Sequence, residues 1–188
     1  VFGEERSSAT GNLHGYTNLT CPTNVGANDY LIITYYDTYG FTTNAALNFN
    51  SDWCFGQARS NNIIGLTTGT KVKVLDSNPS QWLTTVHYYD EKGHSIQDVS
   101  EHYPNRIEYA SNKRNFVGDV VEISVYQPNP GGNECEYDKE LIYDKFGRLK
   151  AITMRVSDDP FGPRYVVEYT YDERGNVLTK EINDGLET

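Results

Sequence analysis

The 188-residue sequence has only one methionine and three cysteines, and no apolar run approaches the roughly 18 residues that a membrane-spanning helix needs. Basic residues are also scarce, with 16 Lys and Arg against 26 Asp and Glu, which gives a formal charge of -10. Because nucleic-acid binding depends on basic side chains that displace counterions, nucleic acid is not an expected partner. We expect no membrane insertion by this segment. No signal-peptide pattern is found near Val1.

The three cysteines, Cys21, Cys54 and Cys135, lie far apart in the sequence. There is no Cys-x-x-Cys pair, and at most one disulfide can form with one thiol left over. We expect all three cysteines to be reduced and each to be buried as a small hydrophobic side chain. No cofactor and no metal are expected.

Aromatic residues, in contrast, are abundant: 15 Tyr, 7 Phe and 2 Trp make up 13% of the chain, a composition that favours β-strands. A five-residue word, Tyr-Asp-x-x-Gly, recurs at Tyr89, Tyr143 and Tyr171. A degenerate fourth copy has Asn in place of Asp, and the intervals between the four glycines are 25, 29 and 28 residues. Such spacing indicates an array of similar supersecondary units. The repeat residues are Tyr89, Asp90 and Gly93; Asn115 and Gly118; Tyr143, Asp144 and Gly147; and Tyr171, Asp172 and Gly175.

The repeated word predicts a tight hairpin turn. Asp at the first turn position accepts a hydrogen bond from a backbone amide two residues on, and Gly at the fourth adopts the left-handed conformation at little cost. The spacing suits a type I turn closed by a glycine bulge. Flanking residues alternate as in half-buried strands, with Val167, Tyr169 and Tyr171 on one face. We therefore expect an all-β fold, a mainly antiparallel sheet of long hairpins, with little helix beyond a single turn in residues 43–47.

The chain divides into two regions that we expect to form one continuous structural unit. Residues 1–68 are interpreted as a leader with one or more strands packed on the repeat sheet, and residues 69–188 as the hairpin array. At the junction, residues 70–75 are predicted to form a strand with Val72 and Val74 pointing inward.

The Tyr-Asp-x-x-Gly words, repeated at about 28 residues and followed by a basic or polar residue, resemble the YD repeats of RHS proteins. The best copy is residues 171–178. Residues 65–75, followed by residues 85–90, are similar to the segment that leads into the repeats of long RHS proteins in Gram-negative bacteria. Together these similarities cover about residues 30–182.

The resemblance implies a large secreted or surface-attached bacterial polypeptide whose strands wind as a ribbon into a hollow shell, often around a variable C-terminal toxin or effector. With three or four units, this chain is too short to close a cavity by itself. We therefore expect a segment, or a short relative, of such a protein, located outside the cell or on its surface.

Some members of the family cleave themselves with aspartates beside a DPxG word in a downstream core segment. Asp159, Pro160 and Gly162 match those letters, but they lie between the third and fourth hairpins. We interpret this word as an inter-hairpin loop.

Residue patterns for catalysis or metal binding are sparse. Alternating acids in one strand are typical of a solvated face, and the turn aspartates are explained by turn geometry, so no catalytic residue is assigned. His87 and His94 are positioned to approach each other across one hairpin, yet a metal site there would lack further ligands. The acidic group is Glu134, Glu136, Asp138 and Glu140.

These observations predict a non-enzymatic scaffold that forms part of a β-shell or a protein-interaction surface. Its expected partners are further repeats of the same polypeptide or other proteins. Two alternatives stay open. A carbohydrate-binding module would use exposed Tyr and Trp rings, including Trp53 and Trp82, to bind a glycan. A hydrolase would use an acidic pair near Glu136.

Overall fold

A computed structural model of the chain describes residues 4–7, 13–17, 19, 25–26, 29–75, 81–102, 105–128 and 134–182. Ten β-strands form one sheet in which each strand pairs antiparallel with its neighbours in sequence. The all-β, antiparallel prediction is confirmed. In the part of the chain that the structure describes, the only helical segments are two 3-10 turns, Leu13–Gly15 and Ala45–Leu47. The strands are β1 (Ile32–Tyr36), β2 (Thr67–Val74), β3 (Gln81–Tyr89), β4 (Ser95–His102), β5 (Arg106–Arg114), β6 (Val120–Gln127), β7 (Cys135–Tyr143), β8 (Leu149–Val156), β9 (Arg164–Tyr171) and β10 (Val177–Ile182).

The strands form five hairpins, and each hairpin carries the same β-bulge next to its turn. In the β3–β4 hairpin, Tyr88 lies opposite Gln97 while Tyr89 lies opposite Ser95, so that Ile96 is an extra residue on β4. A bulge of this kind bends the strand and increases its twist. The corresponding extra residues of the five hairpins are Thr68, Ile96, Val121, Lys150 and Leu178.

The β1–β2 hairpin differs from the others because residues 37–66, here called the insertion, stand in place of its short turn. The amide of Asp37 donates to the carbonyl of Leu66 at 3.2 Å, and the Asp37 side chain accepts from the amide of Gly65 at 2.5 Å. Gly65 has φ of 80°, the same value as Gly93 in the β3–β4 turn. The two ends of the insertion therefore meet as the two ends of a repeat turn do.

The insertion packs on one face of the sheet, here called the insertion face, and the main hydrophobic core lies between them. The Tyr88 hydroxyl donates to the Leu47 carbonyl at 2.8 Å, and the Tyr109 hydroxyl donates to the Ala46 carbonyl at 2.7 Å. Each buried tyrosine thus satisfies its polar end, as burial requires. The core cluster consists of Leu47, Cys54, Val86, Tyr88, Ile96, Val99, Tyr109 and Tyr126.

The predicted helical turn is present as the 3-10 turn Ala45–Leu47. Asn44 precedes it, and its side chain accepts a hydrogen bond from the Ala46 amide at 3.1 Å. Asn favours this position because its side-chain oxygen replaces a missing backbone acceptor. The turn directs Leu47, which is fully buried, into the core.

The prediction that Val72 points inward is wrong, since its side chain is 44% exposed. The covered face of β2 is instead the one that carries Gly69, because the Phe41 ring of the insertion lies against this glycine. A Cβ atom at Gly69 would lie only 2.1 Å from the Phe41 ring. Phe41 also stacks on Tyr35 of β1, with ring centroids 4.3 Å apart.

The apolar side chains change faces along the sheet. Leu141 lies opposite Ile152, which lies opposite Val167, so these three residues share the face away from the insertion. On the insertion face of the same strands, Glu140 lies opposite Thr153. The insertion therefore covers the apolar part of its face in β1–β6, whereas the insertion face of β7–β10 is mainly polar.

The expectation of buried cysteines holds for Cys54 and is wrong for Cys135, which is exposed at the start of β7. Both are free thiols, and Cys21 lies outside the described residues. Burial raises the pKa of Cys54 to about 11. This thiol is therefore a core side chain rather than a nucleophile at neutral pH.

Candidate functional site: the repeat turns and the sheet edges

The four words of the repeat form four turns with the same backbone hydrogen bonds. In the β3–β4 turn, the Asp90 amide donates to the His94 carbonyl at 2.9 Å, and the Gly93 amide donates to the Asp90 carbonyl at 3.1 Å. The same two bonds are found in the turns that begin at Asn115, Asp144 and Asp172. All four glycines have positive φ, which side chains with a Cβ atom rarely adopt. The values are 80° at Gly93, 102° at Gly118, 77° at Gly147 and 89° at Gly175.

The side chain that opens each turn accepts two backbone hydrogen bonds through one oxygen. In the β7–β8 turn, Asp144 Oδ1 accepts from the amides of Phe146 and Arg148 at 2.8 and 3.0 Å. Asp144 Oδ2 accepts from Arg148 Nε at 2.7 Å. In the other three turns, too, the opening side chain bonds the side chain four positions on. The pairs are Asp90 with His94, Asn115 with Asp119, and Asp172 with Asn176.

These hydrogen bonds favour the ionised carboxylates of the turn aspartates. Desolvation acts to raise the pKa of Asp90 and Asp144, but hydrogen bonds from the residue four positions on outweigh it, so that both pKa values are lowered. For Asp172 the hydrogen bond from the Asn176 side chain is the largest cause, and it also lowers the pKa. The turn aspartates are therefore anionic hydrogen-bond acceptors at neutral pH, a role that turn formation fully explains.

The tyrosine of each word joins its hairpin to the preceding one. The Tyr143 hydroxyl on β7 donates at 2.8 Å to the carbonyl of Val120, the first residue of β6. The equivalent bonds run from Tyr89 to Thr67 and from Tyr171 to Leu149, at 2.6 and 2.5 Å. The sequence predicts that these rings pack across neighbouring strands, but it does not identify the carbonyl that accepts the bond. The feature that marks the donor in the sequence is the constant position of Tyr directly before Asp.

One junction lacks this tyrosine bond. At the end of β5, Arg114 stands where the other words have Tyr. Its guanidinium donates to the Gly118 carbonyl of its own turn at 2.8 Å. The β4–β5 junction therefore depends on strand pairing and on the covering insertion. Trp53 contributes to that cover, with its ring 4.5 Å from Tyr109 and 4.2 Å from Tyr126.

Asp159 and Pro160 lie in the connection between β8 and β9, at the end of the sheet opposite the repeat turns. Asp159 accepts from the Phe161 amide at 3.0 Å, and Arg164 contacts both of its carboxylate oxygens, at 2.9 and 2.7 Å. The amide of Phe161 is the largest cause of the lowered pKa of Asp159. The geometry is that of an inter-hairpin loop, as the sequence predicts.

The acidic group near Glu136 lies on the insertion face of β7. Glu136, Asp138 and Glu140 line one side of an open groove of about 540 Å³, whose other side is formed by Trp53 and Phe55 of the insertion. Asp138 lies opposite Arg155, and Glu140 lies opposite Glu122, which is paired with Lys113. Glu134 is exposed and precedes the strand.

The two histidines of the β3–β4 hairpin each bond an aspartate. His87 Nδ1 is 2.8 Å from Asp98, and His94 Nδ1 is 3.0 Å from Asp90. Among the residues that the structure describes, no group of three or more His, Cys, Asp or Glu side chains is placed to hold a metal ion. No helix in this part of the chain is long and apolar enough to cross a membrane.

Among the described residues, the most exposed aromatic rings are phenylalanines in turns and loops rather than the tryptophans. Phe116 and Phe146, in the neighbouring β5–β6 and β7–β8 turns, are 91% and 70% exposed. Trp82 packs against the His14 ring with centroids 4.8 Å apart, and Trp53 lies on core tyrosines. Phe161, Tyr165 and Tyr36 are also exposed, at 81%, 48% and 46%, but Phe116 and Phe146 are the exposed rings on neighbouring turns.

The two edges of the sheet differ. At the β1 edge, the Tyr16 hydroxyl donates to the Thr34 carbonyl at 2.7 Å, and Tyr35 donates to the His14 carbonyl at 3.0 Å. At the other edge, β10 pairs with β9 alone among the described strands. All six β10 residues are exposed, including Val177 and Ile182. At the β1 edge the Tyr16 hydroxyl thus occupies one backbone carbonyl, while Ile32 and Tyr36 are 64% and 46% exposed.

No family model matches this chain, and a search of curated proteins finds no match.

Proposed function

We propose that this chain is a non-enzymatic structural segment of a bacterial cell-surface or secreted protein of the RHS type. In this proposal its YD-repeat hairpins form part of a β-shell or of a protein-interaction surface. The supporting observation is the recurrence of one unit. Among hairpins that pair in chain order, the same bulge appears in all five, the same turn in four, and the same tyrosine bond at three of the four junctions.

The chemistry of the repeat residues supports a structural role. The carboxylates of Asp90, Asp144 and Asp172 accept amide hydrogen bonds within their own turns, and the hydroxyls of the word tyrosines bond backbone carbonyls. Residues that repeat along the chain are thus engaged in building the sheet. Further repeats of the same polypeptide, or other proteins, are the partners that such a sheet accepts.

The coding sequence on either side of this segment tests the proposal. Further Tyr-Asp-x-x-Gly words at spacings of 25 to 29 residues are expected there, continuing the intervals within the chain. Labelling of intact cells with an antibody to this segment tests the location, and surface staining is expected. Flanking sequence without such words, together with staining only after cell lysis, would contradict the proposal.

A second candidate function is glycan binding, and it is favoured by the exposed rings of Phe116 and Phe146 on neighbouring turns. Aromatic rings bind the apolar faces of sugars. Phe161 is also exposed, but it lies in a loop at the other end of the sheet and is not part of this pair. A glycan array tests this candidate. Binding that is lost in both Phe116→Ala and Phe146→Ala would support it, and an array without binding would argue for the structural role alone.

A further inference from the structure

A cavity of about 420 Å³ lies where the residues before β1 meet β1 itself, the start of the insertion and β2. Its ionisable and aromatic lining consists of Arg6, His14, Tyr35, Phe41 and Lys71. Acidic residues outnumber basic ones by 26 to 16 in the chain, yet none of the described carboxylates lines this cavity. None of its lining residues belongs to a repeat turn. The proposed structural role therefore leaves the cavity unexplained.

Lys71 lines this cavity from β2 and is half-buried. Its ammonium has three N–H donors. Nζ donates to the Phe41 carbonyl at 3.4 Å, which is a long hydrogen bond, and lies 5.5 Å from the centre of the Tyr35 ring. Burial lowers the pKa of Lys71, and the attraction of Glu101 offsets this only in part. The ammonium is thus desolvated more than it is compensated.

Arg6 reaches the same cavity from the residues before β1. It forms an antiparallel bridge with Tyr16, and the Tyr16 ring stacks on Tyr35 with centroids 5.6 Å apart. The Tyr35 hydroxyl in turn donates to the His14 carbonyl at 3.0 Å. These contacts bring Arg6 and Lys71, which are far apart in the sequence, into the lining of one cavity.

In the described part of the chain, no ion pair compensates these two cations. None of the ion pairs found there includes Arg6 or Lys71. Glu101 attracts Lys71, but its carboxylate oxygens accept hydrogen bonds from the Thr84 amide at 2.9 Å and the Asn44 side chain at 2.7 Å. A partly desolvated cation is unfavourable without a close negative charge. That charge is one that a ligand can supply.

We propose that this cavity binds a small organic anion whose carboxylate or phosphate group lies between Arg6 and Lys71. A guanidinium bonds the oxygens of such groups through parallel hydrogen bonds, and an ammonium binds them as a point charge. The Tyr35 and Phe41 rings provide an apolar wall for the rest of the ligand. The volume of about 420 Å³ is within the range of roughly 300 to 1,000 Å³ that is typical of small-molecule sites. This function is separate from the proposed structural one, so either can fail alone.

Binding of four probes to the full chain tests this inference: benzoate, phenyl phosphate, inorganic phosphate and benzamide. The first two carry the two candidate head groups on the same ring, and benzamide has the shape of benzoate without its charge. Amide NMR titration provides the measurement. We expect at least one aryl anion to bind with a dissociation constant of about 1 mM or lower and to shift the amides of Phe41 and Lys71. Inorganic phosphate should bind more weakly because it lacks the ring, and benzamide should not saturate.

Lys71→Gln and Arg6→Gln should each weaken binding of that anion about tenfold, because each removes a charge-assisted hydrogen bond. Lys73→Gln is the matched control and should leave the affinity unchanged, since Lys73 lies on the same face of β2 but does not line the cavity. Lys71→Met keeps the length of the side chain and removes a desolvated charge. It should bind as weakly as Lys71→Gln and be at least as stable as the wild type, so it serves if Lys71→Gln does not fold.

The opposite results overturn the inference in distinguishable ways. Failure of both aryl anions to bind, or equal binding of benzamide, would show that no anion is recognised. Affinity that survives both Lys71→Gln and Arg6→Gln would place the bound anion outside this cavity. Equal affinity for inorganic phosphate and phenyl phosphate would contradict an organic ligand. Unchanged binding in Lys71→Met, together with a lower unfolding temperature, would assign Lys71 to the fold alone.

Discussion

The Tyr143 hydroxyl lies 2.8 Å from the Val120 carbonyl, and this bond joins the β7–β8 hairpin to the β5–β6 hairpin. Its acceptor is backbone, so the contact does not depend on which side chain is present at position 120. The bond itself therefore places no constraint on the side chain at position 120.

Removing the Tyr143 hydroxyl should weaken this junction. We expect Tyr143→Phe to lower the free energy of unfolding by about 1 kcal/mol, since the ring is kept and one hydrogen bond is lost. Tyr165→Phe is the matched control, because Tyr165 is exposed. Urea denaturation followed by circular dichroism provides the measurement. Equal stability of the two variants would argue against a structural role for the bond.

The turn glycines should resist substitution for conformational reasons alone. Gly147 has φ of 77°, and a Cβ atom added there would have no neighbour within 4 Å beyond the adjacent residues, so a side chain meets strain without a clash. Gly147→Val should therefore destabilise the protein by about 1 to 3 kcal/mol, because a β-branched residue resists positive φ. Thermal unfolding measures the effect, and tolerance of Val would contradict the assigned turn.

Gly69 should resist substitution for a steric reason. A Cβ atom there would lie 2.1 Å from the Phe41 ring and 2.7 Å from the Thr85 carbonyl oxygen. Gly69→Ala should destabilise by about 1 to 3 kcal/mol, the usual cost of overpacking a core, by displacing Phe41 and crowding the Thr85 carbonyl. Gly40→Ala is the control, since its Cβ would be at 3.4 Å from Thr38 Oγ1. In a Phe41→Ala background, Gly69→Ala should destabilise the protein by less than it does in the wild type, because the Phe41 ring is absent.

Acid should destabilise the turns that aspartate opens. The pKa of Asp144 is lowered in the folded protein, so its contribution is fully present above the unfolded-state pKa of about 4 and is lost as pH falls through the lower folded value. Asp144→Asn keeps the amide-accepting oxygen, as Asn115 does naturally. Its unfolding free energy should therefore fall less steeply than that of the wild type as the pH is lowered below about 4. Parallel pH profiles from urea denaturation would refute the linkage.

The turns could be predicted from sequence because their determinants are local. Asp144 and Gly147 are three positions apart, and their hydrogen bonds and φ angle follow from that spacing. The letters Tyr-Asp-x-x-Gly also occur at residues 36–40, outside the four words named above. There the left-handed glycine that closes the hairpin is Gly65, beyond the insertion, and nothing in the five letters marks the difference.

Features that depend on distant segments could not be predicted. The alternation of its strand predicts that Val72 points inward, but the covered face is determined by Phe41, which belongs to the insertion. The acceptor of the Tyr143 hydroxyl depends on the pairing register of β6 and β7, which the spacing of words does not specify. The candidate site likewise required the structure, because the bond from Tyr16 to Thr34 at the β1 edge and the exposure of β10 are products of tertiary packing.

Amide hydrogen exchange of the unmodified chain tests the central claim, that β10 is an open edge of one continuous sheet. The prediction is that alternate amides of Val177–Ile182, those bonded to β9, are protected while those between them exchange near the unstructured rate. Amides of the central strands should all be protected. Uniform protection along β10 would mean that its edge is already occupied, uniform rapid exchange would mean that it is not a strand of the sheet, and either result would contradict the account.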